Sequence, residues 1–140
     1  MSNAPAITRV LETCFDVDDL KRSSKFYESL FQFPVIASGD RFRAFDVVGK
    51  SVLLLFLRSS SLQAMPTAGG AIPPHGTHGP QHAAFSIAER ELAAWRARLT
   101  EFGITVESEV KWARGGTSLY FRDPDGNLLE LATPGLWPSY

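Results

Sequence analysis

"GPQHAAFSI" at residues 79–87 puts a histidine at the head of an otherwise apolar, strand-like run, directly after a stretch rich in glycine and proline. An earlier run, "ETCFDV" (12–17), aligns with "HAAFSI" (82–87) so that Phe15 meets Phe85, Val17 meets Ile87 and Glu12 meets His82. Each run therefore opens on a residue able to ligate or titrate. Alternation along the first run sets Leu11, Thr13, Phe15 and Val17 on one face and Glu12, Cys14 and Asp16 on the other.

The segments after the two runs match as well. "DDLKRSSKFYESLF" (18–31) carries Leu20, Tyr27, Leu30 and Phe31 at helical spacing, with Asp18 as the expected cap. A short strand in "FPVIAS" (33–38) precedes "RFRAFDVV" (41–48) and "SVLLLFL" (51–57), which the intervening "GK" predicts as an antiparallel hairpin. In the second half, "ERELAAWRARLTEFG" (89–103) carries a stripe of Leu92, Trp95, Leu99 and Phe102, and Gly103 is a C-terminal stop. "ITVESEV" (104–110), "TSLYFR" (117–122) and "NLLELA" (127–132) read as three strands, the last two joined across "DPDG".

The order βαβββ occurs twice, which predicts an α+β fold of two modules, residues 7–57 and 82–134, forming one domain. Residues 1–6 are the expected flexible tail and 135–140 a C-terminal tail. Between the modules, 58–81 includes "AMPTAGGAIPPHGTHGP" (64–80), irregular in either period, and is expected to be a linker or a lid over a site.

Composition narrows the function. Fourteen basic residues against fifteen acidic ones leave a net charge of −1, so no global field draws the chain to nucleic acid or to an anionic membrane. The lone Cys14 forbids an intrachain disulfide and fits a reducing compartment, so a cytoplasmic location is expected. "VLLLFL" (52–57) falls far short of the roughly 20 apolar residues of a membrane-spanning helix. The N-terminus lacks the pattern of a signal peptide. A small-molecule ligand and a second copy of the chain are the expected partners.

Three stretches in order, "VDDLKRSSKFYESLFQF" (17–33), "GPQHAAFSI" (79–87) and "SLYFRDPDGNLLELATP" (118–134), resemble the vicinal oxygen chelate superfamily, the glyoxalase, bleomycin-resistance and extradiol dioxygenase family. The resemblance runs from about Ile7 to Pro134. It implies paired modules whose sheets curl around a cup-shaped cavity with the helices outside, commonly in a homodimer. It also implies a divalent metal (Mn, Fe, Zn or Ni) held by Glu12, His82 and Glu130, where Glu12 stands at a position many members fill with histidine. The usual fourth ligand, from "VLLLFL", is replaced by Leu53 or Leu54. Ser118 and Tyr120 match residues that face the substrate in fosfomycin-resistance members, although "KWARGGT" (111–117) has no counterpart of that group's potassium-binding loop.

Each candidate also has a plainer reading. Glu130, set between leucines, either faces solvent at a sheet edge or turns inward, where it needs a cation, a proton or hydrogen bonds. Glu12, His82 and Glu130 together offer one nitrogen and two oxygen donors with charge −2, suited to a divalent ion. Without metal, two carboxylates in one cavity make a proton-transfer pair, Glu12 and Glu130, or Glu12 is simply salt-bridged. Cys14 shares the face of Glu12 and is expected to be a small buried group. His75 and His78 are expected in a solvated loop or lid. Phe42 and Phe45 fall on opposite faces of one strand, so only one can line the cup. Trp112, Tyr120, Ser118 and Arg122, with Cys14, are the remaining expected substrate contacts. Lewis-acid chemistry, isomerisation, lyase, dioxygenase or thiol-transfer, with Tyr120 donating a hydrogen bond, is set against a metal-free protein that sequesters an antibiotic.

Overall fold

The computed structural model of the chain describes residues 4–6 and 9–140. The expected tail at residues 1–3 and the module start at Ile7 lie outside the described residues. The first module runs β1 (Glu12–Val17), α1 (Leu20–Leu30), β2 (Val35–Ser38), β3 (Phe42–Val47) and β4 (Ser51–Leu57). The second runs β7 (His82–Ser86), α3 (Leu92–Glu101), β8 (Ser108–Lys111), β9 (Thr117–Arg122) and β10 (Leu128–Ala132). Each builds its own four-stranded mixed sheet, in the orders β1-β4-β3-β2 and β7-β10-β9-β8, with the first strand parallel to the last. The repeat predicted from the sequence is thus a repeat of topology.

Alternation decides what each sheet buries. Phe15, Val17, Phe45, Leu53 and Leu55 of the first sheet join Leu119, Phe121, Leu129 and Leu131 of the second in one core with Tyr27, Leu30 and Leu99 of the helices. Full burial of an apolar side chain of this size contributes on the order of 1.5–3 kcal/mol. Phe31, just past α1, stacks near Phe85 and Trp95 at ring separations of 5.1 and 5.7 Å. Arg98 of α3 donates to the carbonyls of Leu30 and Ser29, which the end of α1 leaves without helical partners. The opposite faces of both sheets, carrying Glu12 and Glu130, turn away from this core. The two sheets do not close into a single cup within one chain.

Several local expectations shift. The cap of α1 is Asp19, whose side chain accepts from Arg22 N at 3.0 Å, whereas Asp18 pairs with Arg58 at 2.8 Å. The β3–β4 turn centres on Val48 and Gly49, both at positive φ, one residue before the expected "GK". Phe102 is 40 % exposed, its ring lying under the Arg98 guanidinium, so the α3 stripe ends at Leu99. Gly103, at φ 68°, donates to Thr100 O while Ile104 donates to Leu99 O, ending α3 as its position predicts. The strand expected at 104–110 is confined to β8.

The segment 58–81 is more structured than its composition suggests. It forms a helical turn, α2 (Arg58–Ser61), and a hairpin of β5 (Met65–Thr67) and β6 (Gly70–Ile72). Its far end is tied down: Ser61 O accepts from His75 N and Gly76 N, and the buried Asp16 carboxylate accepts from Thr77 N and Oγ1 at 2.8 and 3.2 Å. No helix among the described residues is long and apolar enough to cross a membrane.

Candidate functional site

Two half-sites face away from the core. In the second sheet, Glu130 on β10 is 4 % exposed and pairs across to Tyr120 on β9. One carboxylate oxygen accepts from Ser118 Oγ at 2.5 Å, and Ser118 in turn accepts from Trp112 Nε1 at 2.9 Å. The other oxygen lies 3.2 Å from His82 Nε2. Burial, and then the Glu130 charge, raise the Tyr120 phenol, so it stays a neutral donor at ordinary pH.

The state of His82 follows from its second nitrogen. Nδ1 lies 2.9 Å from Leu128 O, and a carbonyl only accepts, so Nδ1 carries the hydrogen. Nε2 then faces a carboxylate oxygen. Two acceptors at that distance repel unless a proton or a cation sits between them. A ring nitrogen fixed by a carbonyl, which leaves the other free to bind, is the usual support of a metal-ligating histidine. This half-site therefore fits two donors of a divalent ion.

The first sheet supplies the other half. Glu12 and Cys14 of β1, with Phe42, Leu54 and Phe56, line a cavity of about 570 Å³. Met65, Thr67, Ile72 and His75 of the 58–81 segment form its wall, and the His75 ring meets that of Phe56 at 4.5 Å. The segment expected as a linker or a lid thus forms one wall of a cavity. Of the paired alternatives, Leu54 and Phe42 face the cavity, whereas Leu53 and Phe45 are buried in the core. The Cys14 thiol is pushed up by burial and then by Glu12 and Asp16, so it stays protonated and is a poor nucleophile.

Of the expected ligands, His82 and Glu130 come together and Glu12 does not join them: among the described residues, no three His, Cys, Asp or Glu side chains converge to hold an ion. Ser118, Tyr120 and Trp112 gather at Glu130. Arg122 is instead tied to Glu107 at 2.8 Å and to Gly126 O at 3.0 Å.

Gln81 carries a role that its sequence context does not signal. Its side chain accepts from Asp16 N and donates to Cys14 O, linking the start of β7 to the edge of β1. The apolar wall of Met65 and Ile72 is equally silent in the sequence, since it sits in a stretch without period.

A family model of the Glyoxalase/Bleomycin resistance protein/Dioxygenase superfamily matches residues 9–131, and the chain belongs to this superfamily. It is 31% identical over 120 residues to the metallothiol transferase FosB of Bacillus licheniformis, covering 85% of this chain and 71% of that protein. It is 34% identical over 119 residues to the catechol-2,3-dioxygenase of Bacillus subtilis, covering 82% of this chain and 38% of that protein. Among solved structures, a lactoylglutathione lyase from Agrobacterium tumefaciens superposes with a TM-score of 0.87 at 30% identity, covering 96% of this chain and 99% of that one.

Proposed function

We propose that this chain is a divalent-metal-dependent enzyme acting on a small oxygen-bearing molecule, with His82 and Glu130 of one copy joined by Glu12 of a second. The observation that carries the reading is the His82–Glu130 contact, in which Nε2 of an imidazole held through Nδ1 lies 3.2 Å from a buried carboxylate oxygen. Membership of a superfamily with a metallothiol transferase and a dioxygenase among the relatives supports it. Because Glu12 does not converge with His82 and Glu130 within one chain, a homodimer is the simplest assembly that would bring the three together.

A bound divalent ion supplies Lewis acidity, offsetting charge that develops on a substrate oxygen. The chain's residues do the rest. Ser118, itself positioned by Trp112, holds the Glu130 carboxylate in one orientation. Tyr120, kept neutral, donates a hydrogen bond toward a substrate oxygen. Glu12, which makes no ion pair among the described residues, serves as the third donor, the second through oxygen, and as the group able to move a proton.

Elemental mass spectrometry after dialysis against Mn²⁺, Fe²⁺, Zn²⁺ or Ni²⁺ tests the reading. Near-stoichiometric metal in the wild type, lost in both His82→Ala and Glu12→Ala, is expected. Co-expressing those two variants should restore metal to mixed dimers, because one of the two sites would then be intact. No retained metal would turn the reading toward a sequestering binder, which the apolar cavity and Leu54 would favour.

A further inference from the structure

We propose that the ligand of this cavity is an uncharged molecule with an apolar body at least the size of an aromatic ring and a polar end, and that phosphonates and other anions are poor ligands. The inference rests on the reading that this face is the substrate site, and specifies what the site selects.

No lysine or arginine lines the cavity of about 570 Å³; its charged wall residue is Glu12, and Phe42, Leu54, Phe56, Met65 and Ile72 make it apolar. The second half-site offers no cation in compensation. On the face shared by His82 and Glu130, β8 contributes Ser108 and Val110, and Arg122 is the sole cation among the strand residues. Its guanidinium is held by Glu107 and Gly126 O. Lys111 pairs with Thr117 on the other face of that sheet. Arg58 and Arg43 are likewise engaged, with Asp18 and with backbone carbonyls.

Glu12 and Glu130 together neutralise a divalent ion, so the centre has no net positive charge for an anion. A phosphonate such as fosfomycin would shed water beside Phe42 and Phe56 without a cation to replace it. A three-carbon substrate would also leave most of the apolar wall in contact with water. A ring-bearing neutral molecule covers that wall, and its polar end reaches Glu12.

Calorimetric titration of metal-free and metal-loaded protein with 1-phenyl-1,2-ethanediol, 1,2-propanediol and fosfomycin tests this. The phenyl diol should bind about tenfold or more tightly than the propane diol in both forms, the ring being the difference. Fosfomycin should show no saturable binding. Ile72→Lys, at a 40 % exposed position of the cavity wall, should weaken the phenyl diol while leaving the circular dichroism spectrum unchanged. Saturable fosfomycin binding would overturn the inference, and its loss in Arg114→Ala would trace it to the cation of the exposed β8–β9 turn. Equal affinity for the two diols would overturn it too. Metal content measured on the same samples separates this outcome from failure of the metal reading, since the diol preference is expected in metal-free protein as well.

Discussion

Leu54 occupies in the first sheet the register position that Glu130 occupies in the second. Leu54 pairs with Cys14, two residues beyond Glu12, and Glu130 pairs with Ala84, two residues beyond His82. The pseudo-repeat therefore sets a histidine and a carboxylate against a carboxylate and a leucine. One half keeps both polar positions, and the other keeps one and gives the second to an apolar wall. If the proposed site is right, Leu54→Glu supplies an additional oxygen donor beside Glu12. Metal affinity should rise by about tenfold or more, since ligand charge count tunes such sites. Metal-free protein should be less stable by about 1–3 kcal/mol, because a carboxylate enters an apolar wall. Competition against a chromophoric chelator reads the first effect and thermal melting the second. Unchanged metal affinity would place Leu54 outside the coordination site.

Ser118 links Trp112 to Glu130, accepting from one and donating to the other. Ser118→Ala leaves an indole N–H and a carboxylate oxygen short of a partner at a site with no exposure. A loss of about 1–3 kcal/mol is expected in urea denaturation. Metal retention should also fall, by about 10–100-fold, the usual cost of removing a group that orients a ligand. Ser118→Thr, which keeps the hydroxyl, should recover metal binding better than stability. Full metal affinity in the alanine variant would mean that Glu130 is held by its other neighbours.

The repeat and the strand faces are legible because period-two alternation is local: each residue's side of the sheet follows from its neighbour's. Glu12 and Cys14 share a face for that reason, whereas Leu54 joins them through the β1–β4 register, which the sequence alone leaves open between Leu53 and Leu54. The Asp16–Thr77 bonds, the Gln81 bridge and the Tyr27–Asp123 contact join residues 61 or more positions apart, and no period carries such a signal. The lid hairpin is hidden for another reason. Its strands are three residues each and closed by glycines, so backbone pairing and the wall of the cavity, rather than an apolar pattern, define them. Arg122 shows the limit of face arguments: the alternation is right, yet Glu107 holds its guanidinium away from Glu130's cluster.

Val48 sits at φ 51° in the β3–β4 turn, followed by Gly49 at φ 67°, the pattern of a two-residue turn that needs left-handed backbone at both central positions. A β-branched residue adopts this conformation at a cost, and Val48 is 81 % exposed, so no packing offsets it. Val48→Asn should stabilise the protein by about 1 kcal/mol and Val48→Gly by somewhat less, because glycine gains freedom in the unfolded chain. Chemical denaturation midpoints at constant slope are the measurement. A destabilised asparagine variant would mean that Val48 makes an apolar contact absent from the isolated chain, as it would if a second copy covered this turn.

Tyr27 is fully buried, and its hydroxyl donates to Asp123 Oδ2 at 2.8 Å, fastening α1 of the first module to the β9–β10 turn of the second. Burial above all, and then the Asp123 charge, raise its pKa well above the usual tyrosine value. The unfolded chain ionises this phenol near about pH 10. Below that pH both states hold the proton and the contribution to stability is complete. Above it the unfolded state releases a proton that the folded state retains, so stability falls as pH rises. Tyr27→Phe should cost about 1–2 kcal/mol at pH 7, since the Asp123 carboxylate keeps its bonds from Asp125 N, Asn127 N and Asn127 Nδ2. The variant should lose less than the wild type on going from neutral pH to about pH 11, with a residual slope from the partly exposed Tyr120. Urea denaturation across that range reads both effects. Parallel declines in the two proteins would show that the alkaline limb belongs to other groups, and that the Tyr27 hydroxyl ties the modules together without carrying their pH dependence.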